Sequence, residues 1–221
     1  APTYSYLEWS KEKSFLGTKA KKYRILPMAY PDCSDYDSQF IHELNKRVKG
    51  QYMCVFIGTL NQMFDFDPLK DAASINSHVS FIIAGDGDNK KQLETNFSQY
   101  NNVHFIGWIN QREICTLMQH SHFGLAPYID INNFSKHVPN KIIEYMSESL
   151  IILYSVKGEI DTLLHSCGVR YENGLSLGDS IKKITESPKV LKKKSYNTGL
   201  LYKNNFSANK VYKDFVDNFL L

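Results

Sequence analysis

Pro139, Lys141 and Glu144 stand close together in the run FSKHVPNKIIEYMSESL, residues 134 to 150, and their types suit an anionic sugar derivative. Pro139 fits the first position of a helix, where a missing N–H costs nothing and a fixed φ already matches. The unpaired amides of that first turn and the positive end of the helix dipole favour phosphate. Lys141 adds a full positive charge beside them. Glu144, one turn on, is an acceptor-only fork suited to a vicinal diol such as a ribose. Phosphate, cation and diol acceptor together point to a sugar nucleotide. The same residues also fit an ordinary amphipathic helix, with Ile142, Ile143, Met146 and Leu150 facing a core and Lys141 and Glu144 paired in solvent.

The elements that must position these groups alternate along the chain. QYMCVFIG (51–58), SFIIAG (80–85), VHFIG (103–107), His122 to Ala126, LIILY (150–154) and Gly168 to Tyr171 read as strands. Most are continuously apolar, as in strands buried on both faces. Helical stripes lie between them: Leu69, Ala72 and Ala73 after an Asp67-Pro68 start, then Leu93, Phe97 and Tyr100, then Ile114, Leu117 and Met118. The pattern predicts an α/β fold, a Rossmann-like parallel sheet of about six strands with helices on both faces. Ligands of such sheets sit beyond the carboxyl ends of the strands, where Gly58, Gly85, Gly107 and the loop after Tyr128 fall.

Composition narrows the classes. With 221 residues, 43% hydrophobic and 22% charged, the chain can bury a proper core. A net charge of +3 is too small to argue for nucleic acid, and no apolar run approaches the roughly 18 residues of a membrane span. Cys33, Cys54, Cys115 and Cys167 lie far apart without a C-x-x-C pair, which fits free thiols in a reducing cytosol. The seven histidines are scattered, so no metal site is expected. Residues 1 to 24 carry six cations among aromatics and read as a connecting or membrane-facing helix. The basic runs Lys19 to Lys22 and Lys192 to Lys194 read either as solvated faces or as attracted to an anionic membrane surface at roughly 1 kcal/mol per cation. The first 30 residues read as a linker, or the remnant of a preceding domain, and 31 to 221 as the nucleotide-binding domain. Toward the end, Ser207 is expected to cap a helix with Val211, Tyr212, Phe215 and Phe219 on one face.

Two further motifs bear on phosphate and base. Gly85-Asp86-Gly87 follows a strand, but position 90 is Lys where a dinucleotide fingerprint has its third glycine, so a tight turn is the better reading. Trp108, after Gly107, suits either stacking on a base or packing between loops.

Taken in order, VFIGTL with DFDPL behind it, FIIAGDGD, NVHFIGWIN, HFGLAPY, VPNKIIEYM and NNFSANKVYKDF resemble the carboxy-terminal, donor-binding domain of retaining glycosyltransferases of family 4, which have the GT-B fold. The resemblance spans about residues 50 to 221, and the PNK-x-x-E-Y run is similar to enzymes of bacterial surface-polysaccharide assembly. It implies a metal-independent transferase, cytoplasmic or peripheral on the inner membrane face, without a cofactor. The implied donor is a UDP-sugar and the implied acceptor a lipid-linked saccharide.

The resemblance also implies donor contacts from Gly58, Thr59, Trp108 and Ile109, and from Lys136, His137, Val138, Pro139, Asn140, Lys141 and Glu144. Glu144 matches the family's ribose-holding glutamate. The motif's first glutamate falls at Lys136, so no catalytic residue is assigned. Positions where many members carry diphosphate-neutralising Arg and Lys are Thr59 and Phe64 here, and Lys141 with Lys136 is expected to supply that charge. An isolated donor domain should bind nucleotide yet transfer little. Two rival readings are a non-catalytic partner subunit with a degenerate pocket and a sugar-nucleotide epimerase, the latter requiring an acid/base pair that the 128 to 138 loop does not offer.

Overall fold

The computed structural model describes residues 3, 7–8, 25–130 and 134–217. The basic amino-terminal segment, part of the 128 to 138 loop and Phe219 therefore lie largely or wholly outside the described residues. Six strands form one parallel sheet: β1 (Tyr52–Ile57), β2 (Val79–Ala84), β3 (Val103–Gly107), β4 (Phe123–Ala126), β5 (Ile151–Tyr154) and β6 (Val169–Arg170). The order across the sheet is β3-β2-β1-β4-β5-β6. The helices are α1 (Ser38–Arg47), α2 (Pro68–Ile75), α3 (Lys90–Asn96), α4 (Gln111–Gln119) and α5 (Asn140–Ser147), with a 3-10 turn at Phe134–Lys136 before α5. After β5 come α6 (Glu159–Leu164), α7 (Gly174–Thr185), α8 (Pro188–Asn205) and α9 (Ala208–Phe215).

Strand side chains alternate between two cores, which is why the strands carry no polar face. Val55, Ile57, Ile82, Ile152 and Tyr154 join one cluster with α1, α4, α5 and α8. Cys54, Phe56, Phe81, Ile83, Ile151 and Leu153 join the other with α2 and α7. Local chemistry starts several helices. Asn110 and Glu113 form a capping box at α4, and the Asn173 carboxamide accepts from the Ser176 amide at α7. Asp67 does not cap α2 with its side chain as its position suggests. It is helical itself and holds Lys70 at 2.6 Å, while Pro68 opens the helix.

Three expectations need correction. Helix α1 has no counterpart in the sequence reading: it is strongly polar and buries only Leu44. Cys33 and Cys115 are not free thiols but a disulfide spanning 82 positions, Cα–Cα 5.7 Å. Cys54 and Cys167 remain free and buried. The bridge is reinforced by an Arg112–Asp35 ion pair at 2.9 Å and by the Asp37 amide donating to Thr116 Oγ1 at 2.6 Å, so the chain from 33 to 37 is fastened along α4. In α9, capped by Ser207 as expected, Val211 is buried but Tyr212 is 64% exposed, so these two do not share the inward face.

Candidate functional site

The sheet order reverses between β1 and β4, the topological switch point where open α/β sheets bind ligands. There β1 pairs with β4 only through Cys54–Phe123 and Val55–Gly124. Beyond that the strands part, and the amide of Ile57 would be left without a ladder partner. The hydroxyl of Tyr145 accepts it at 3.0 Å. The Tyr145 ring can lie so close to β4 because position 124 is glycine: a Cβ there would stand 2.4 Å from Tyr145 Cδ2. Helix α5 is thereby fixed with its amino terminus at the mouth of the crevice.

Pro139 precedes that helix instead of opening it. Its ψ of 146° is extended, so it is the N-cap and α5 begins at Asn140, a one-residue correction to the expectation. The Pro139 carbonyl accepts from the Ile142 amide at 3.0 Å, while the amides of Asn140 and Lys141 make no backbone hydrogen bond among the described residues. Lys141 is largely buried, and its Nζ lies 2.5 Å from where a Cβ on Gly58 would stand. Gly58 itself has φ +152°, a conformation that favours glycine. The ammonium sits over the Phe56 ring at 4.4 Å, with Phe64 at 5.7 Å and Tyr145 at 5.8 Å. Burial lowers the Lys141 pKa to about 8, partly opposed by the negative charge of Glu144. No ion pair is made by Lys141 among the described residues, which removes the alternative of a Lys141–Glu144 pair in solvent.

Phe64 explains why no second cation is found there. Its ring packs on Phe56 at 4.9 Å and on Tyr128 at 5.0 Å, and its backbone bridges that of Tyr128. An aromatic floor occupies the position, and the cation reaches it from α5. Glu144 is partly buried and accepts from the Tyr30 hydroxyl at 2.7 Å. Asn140 and Glu144 line a cavity of about 240 Å³ together with Met28, Ala29, Tyr30 and Ile143.

The other predicted residues divide. Thr59 is exposed beside Gly58. Trp108 is 74% exposed on the turn after β3, so it does not pack between loops. Ile109 is buried in the core, leaving only its main chain to meet a ligand. His137 and Lys136 are partly buried, and the Lys136 carbonyl accepts from the Thr3 hydroxyl. Val138 lines an adjoining, mostly apolar cavity of about 470 Å³ with Ile143, Leu163 and Phe206. The Gly85-Asp86-Gly87 turn packs against the β1–α2 loop: a Cβ at Gly85 would meet the Gly58 carbonyl at 1.9 Å, and the Leu60 amide donates to the Asp86 carbonyl at 2.9 Å. It is a turn that shapes the loop after β1.

Sequence reasoning missed Tyr30 and Tyr145. Tyr145 was legible only as the residue after Glu144, and Tyr30 lies 114 positions from its partner. Among the described residues no cluster of His, Cys, Asp and Glu could hold a metal ion, and no helix is long and apolar enough to cross a membrane. A roomier groove of about 820 Å³, lined by Arg47, Lys49 and His104, lies at the opposite, amino-terminal ends of β1 to β3. It contains none of the predicted residues and is remote from the crevice.

The six-stranded sheet and its crevice match one Rossmann-like half of a GT-B glycosyltransferase. Residues 51–186 match the family described as glycosyl transferases group 1, and the chain belongs to it. No curated protein matches the sequence significantly. Among solved structures, sucrose-phosphate synthase from Thermosynechococcus elongatus superposes with a TM-score of 0.76 at 12% identity, over 100% of this chain and 57% of its own. Anabaena HepE in complex with UDP-glucose gives 0.73 at 16%, over 96% of this chain and 62% of its own. WaaG, a glycosyltransferase involved in lipopolysaccharide biosynthesis, gives 0.69 at 16%, over 97% and 60%. The chain thus spans about 60% of the length of these proteins.

Proposed function

We propose that this chain is the donor-binding half of a metal-independent retaining glycosyltransferase of family 4 that takes a sugar from a UDP-sugar. The observation that carries the reading is the placement of the Lys141 ammonium against Gly58, with Glu144 one turn further along the same helix, at the β1–β4 crevice. A diphosphate seated at Gly58 meets the first-turn amides of Asn140 and Lys141 and the Lys141 charge. These groups stabilise the negative charge that develops on the leaving nucleotide as the glycosidic bond breaks, the electrostatic contribution expected of preorganised donors in a dry site. Glu144 receives the ribose hydroxyls and Trp108 offers a face to the base. The charge is handled by the protein itself, so the reading requires no metal ion or other cofactor.

The UDP-glucose complex of HepE supports the choice of nucleotide, and the likeness to WaaG supports a role in surface-polysaccharide assembly. The acceptor in this reading is a lipid-linked saccharide at the cytoplasmic membrane face, bound by the other half of the double-domain enzyme. Alone, this chain binds donor and transfers little. Lys136, standing where the resemblance implies a glutamate, favours as a second reading a partner subunit without catalytic activity.

Calorimetric titration with UDP, GDP, ADP and CMP, repeated on Glu144→Ala, tests the proposal. Selective UDP binding that the substitution abolishes is the expected result. A folded chain that binds none of them, also when joined to the other half, would reject the donor-site reading.

A further inference from the structure

The carboxylate of Glu144 is held from an unexpected direction. Its Oε1 accepts from the Tyr30 hydroxyl at 2.7 Å, and no hydrogen bond to its Oε2 is made among the described residues. Burial and the adjacent Glu144 charge raise the Tyr30 pKa, which keeps that hydroxyl protonated and a donor. Tyr30 is not a loose linker residue. Its amide donates to the Phe206 carbonyl at 3.0 Å, and its carbonyl accepts from the Ala208 amide at 3.1 Å. The Tyr202 hydroxyl lies 2.8 Å from both the Tyr30 carbonyl and Asp32 Oδ1, its single proton shared between them. The main chain of Tyr30 is therefore clamped to the α8–α9 junction, and its side chain reaches across to α5. Beside the Tyr30–Glu144 pair lies the cavity of about 240 Å³ that both residues line.

We propose that Tyr30 is a positioning residue for nucleotide recognition: by occupying one oxygen of Glu144 it turns the other toward the ribose diol and transmits to the site the placement of the carboxy-terminal helices. A carboxylate has two oxygens and a rotatable terminal torsion. Fixing one oxygen by a charge-assisted hydrogen bond removes that freedom before the ligand arrives, and preorganisation of this kind raises affinity. The inference rests on the donor-site reading above. It differs from a purely structural role, in which the contact merely fastens the segment before α1 to the domain.

The test compares wild type and Tyr30→Phe by titration with UDP and with 2′,3′-dideoxy-UDP, alongside thermal unfolding of each. Wild type should prefer UDP, and Tyr30→Phe should weaken UDP about tenfold, a change of ~1.4 kcal/mol, while leaving the dideoxy analogue unchanged, so that the ribose preference collapses. Equal weakening of both ligands would overturn the proposal in favour of a structural role, and unchanged binding of both would remove any role. Tighter UDP binding by Tyr30→Phe would overturn it too, by showing that the hydroxyl competes with the ribose. Failure of wild type itself to bind UDP, or to distinguish the two ligands, would instead reject the donor-site reading on which the proposal stands.

Discussion

The Tyr145 hydroxyl accepts the main-chain amide of Ile57 at 3.0 Å, tying helix α5 to the last residue of β1 where the sheet has opened. Lys141 and Glu144 ride on the same helix, so this contact, added to the helix's core packing, helps to place both groups relative to Gly58. Tyr145→Phe leaves the buried Ile57 N–H unsatisfied at a cost of about 1–3 kcal/mol. At ~2–4 °C per kcal/mol for a chain of this size, the midpoint of thermal unfolding should fall by several degrees, and UDP affinity should fall with it. An unchanged midpoint would show that the Ile57 amide finds another partner.

Lys141 gives the site a pH dependence whose sign follows from its pKa of about 8. The folded value lies below that of an unfolded lysine, ~10.4. Charging Lys141 in the unliganded fold therefore opposes folding below about pH 8, and the cost fades as pH rises toward ~10.4. Ligand binding runs the other way, because a diphosphate favours the ammonium. UDP affinity should be constant near neutrality and weaken above about pH 8, by up to ~10-fold per unit. The phosphate's own titration near ~6 lies below that window. Lys141→Met should bind weakly and show no such fall between pH 7 and 9. Calorimetry across this range on both proteins checks the claim, and parallel profiles would contradict it.

Trp108 separates recognition from stability. It is 74% exposed and makes no ring contact among the described residues, so Trp108→Ala should change folding stability by less than ~0.5 kcal/mol. If its face meets the base, the same substitution should cost about 1–3 kcal/mol of nucleotide affinity. Chemical unfolding and UDP titration on one preparation give both numbers; undiminished affinity would place the base elsewhere.

The Cys33–Cys115 bridge closes a separation of 82 positions. In the chain-entropy account a loop of this length contributes about 4.5 kcal/mol. Reduction should lower the unfolding midpoint by roughly 10 °C, and Cys33→Ser should behave as the reduced protein does. In the reducing cytosol proposed for the enzyme such a bridge is disfavoured, so the dithiol is the expected form there. Equal midpoints with and without reductant would show that the bridge does not form in solution.

The sheet was legible because buried parallel strands announce themselves as short, mostly apolar runs, three of them ending in glycine; all six fall within a residue or two of their expected bounds. Helix α1 was not, although Phe40, Ile41, Leu44 and Val48 share one face at helical spacing and pack on the core; the polar residues between them obscured that stripe. At the site, Lys141 and Glu144 were legible as a local pattern one turn apart. Their surroundings were not. The aromatic floor of Phe56, Phe64 and Tyr145, the disulfide and the Tyr30 contact all join residues far apart in the chain, and such pairings follow from the completed fold alone. Pro139 was off by one position because a proline suits both the N-cap and the first helical residue, and only its extended ψ distinguishes them.

The most direct measurement is a crystal structure of this chain soaked with UDP. The account predicts the β-phosphate beside Gly58 within salt-bridge distance of Lys141 Nζ, and the ribose hydroxyls on Glu144. Nucleotide bound elsewhere, for instance in the groove lined by Arg47, Lys49 and His104 at the opposite end of the strands, would contradict it.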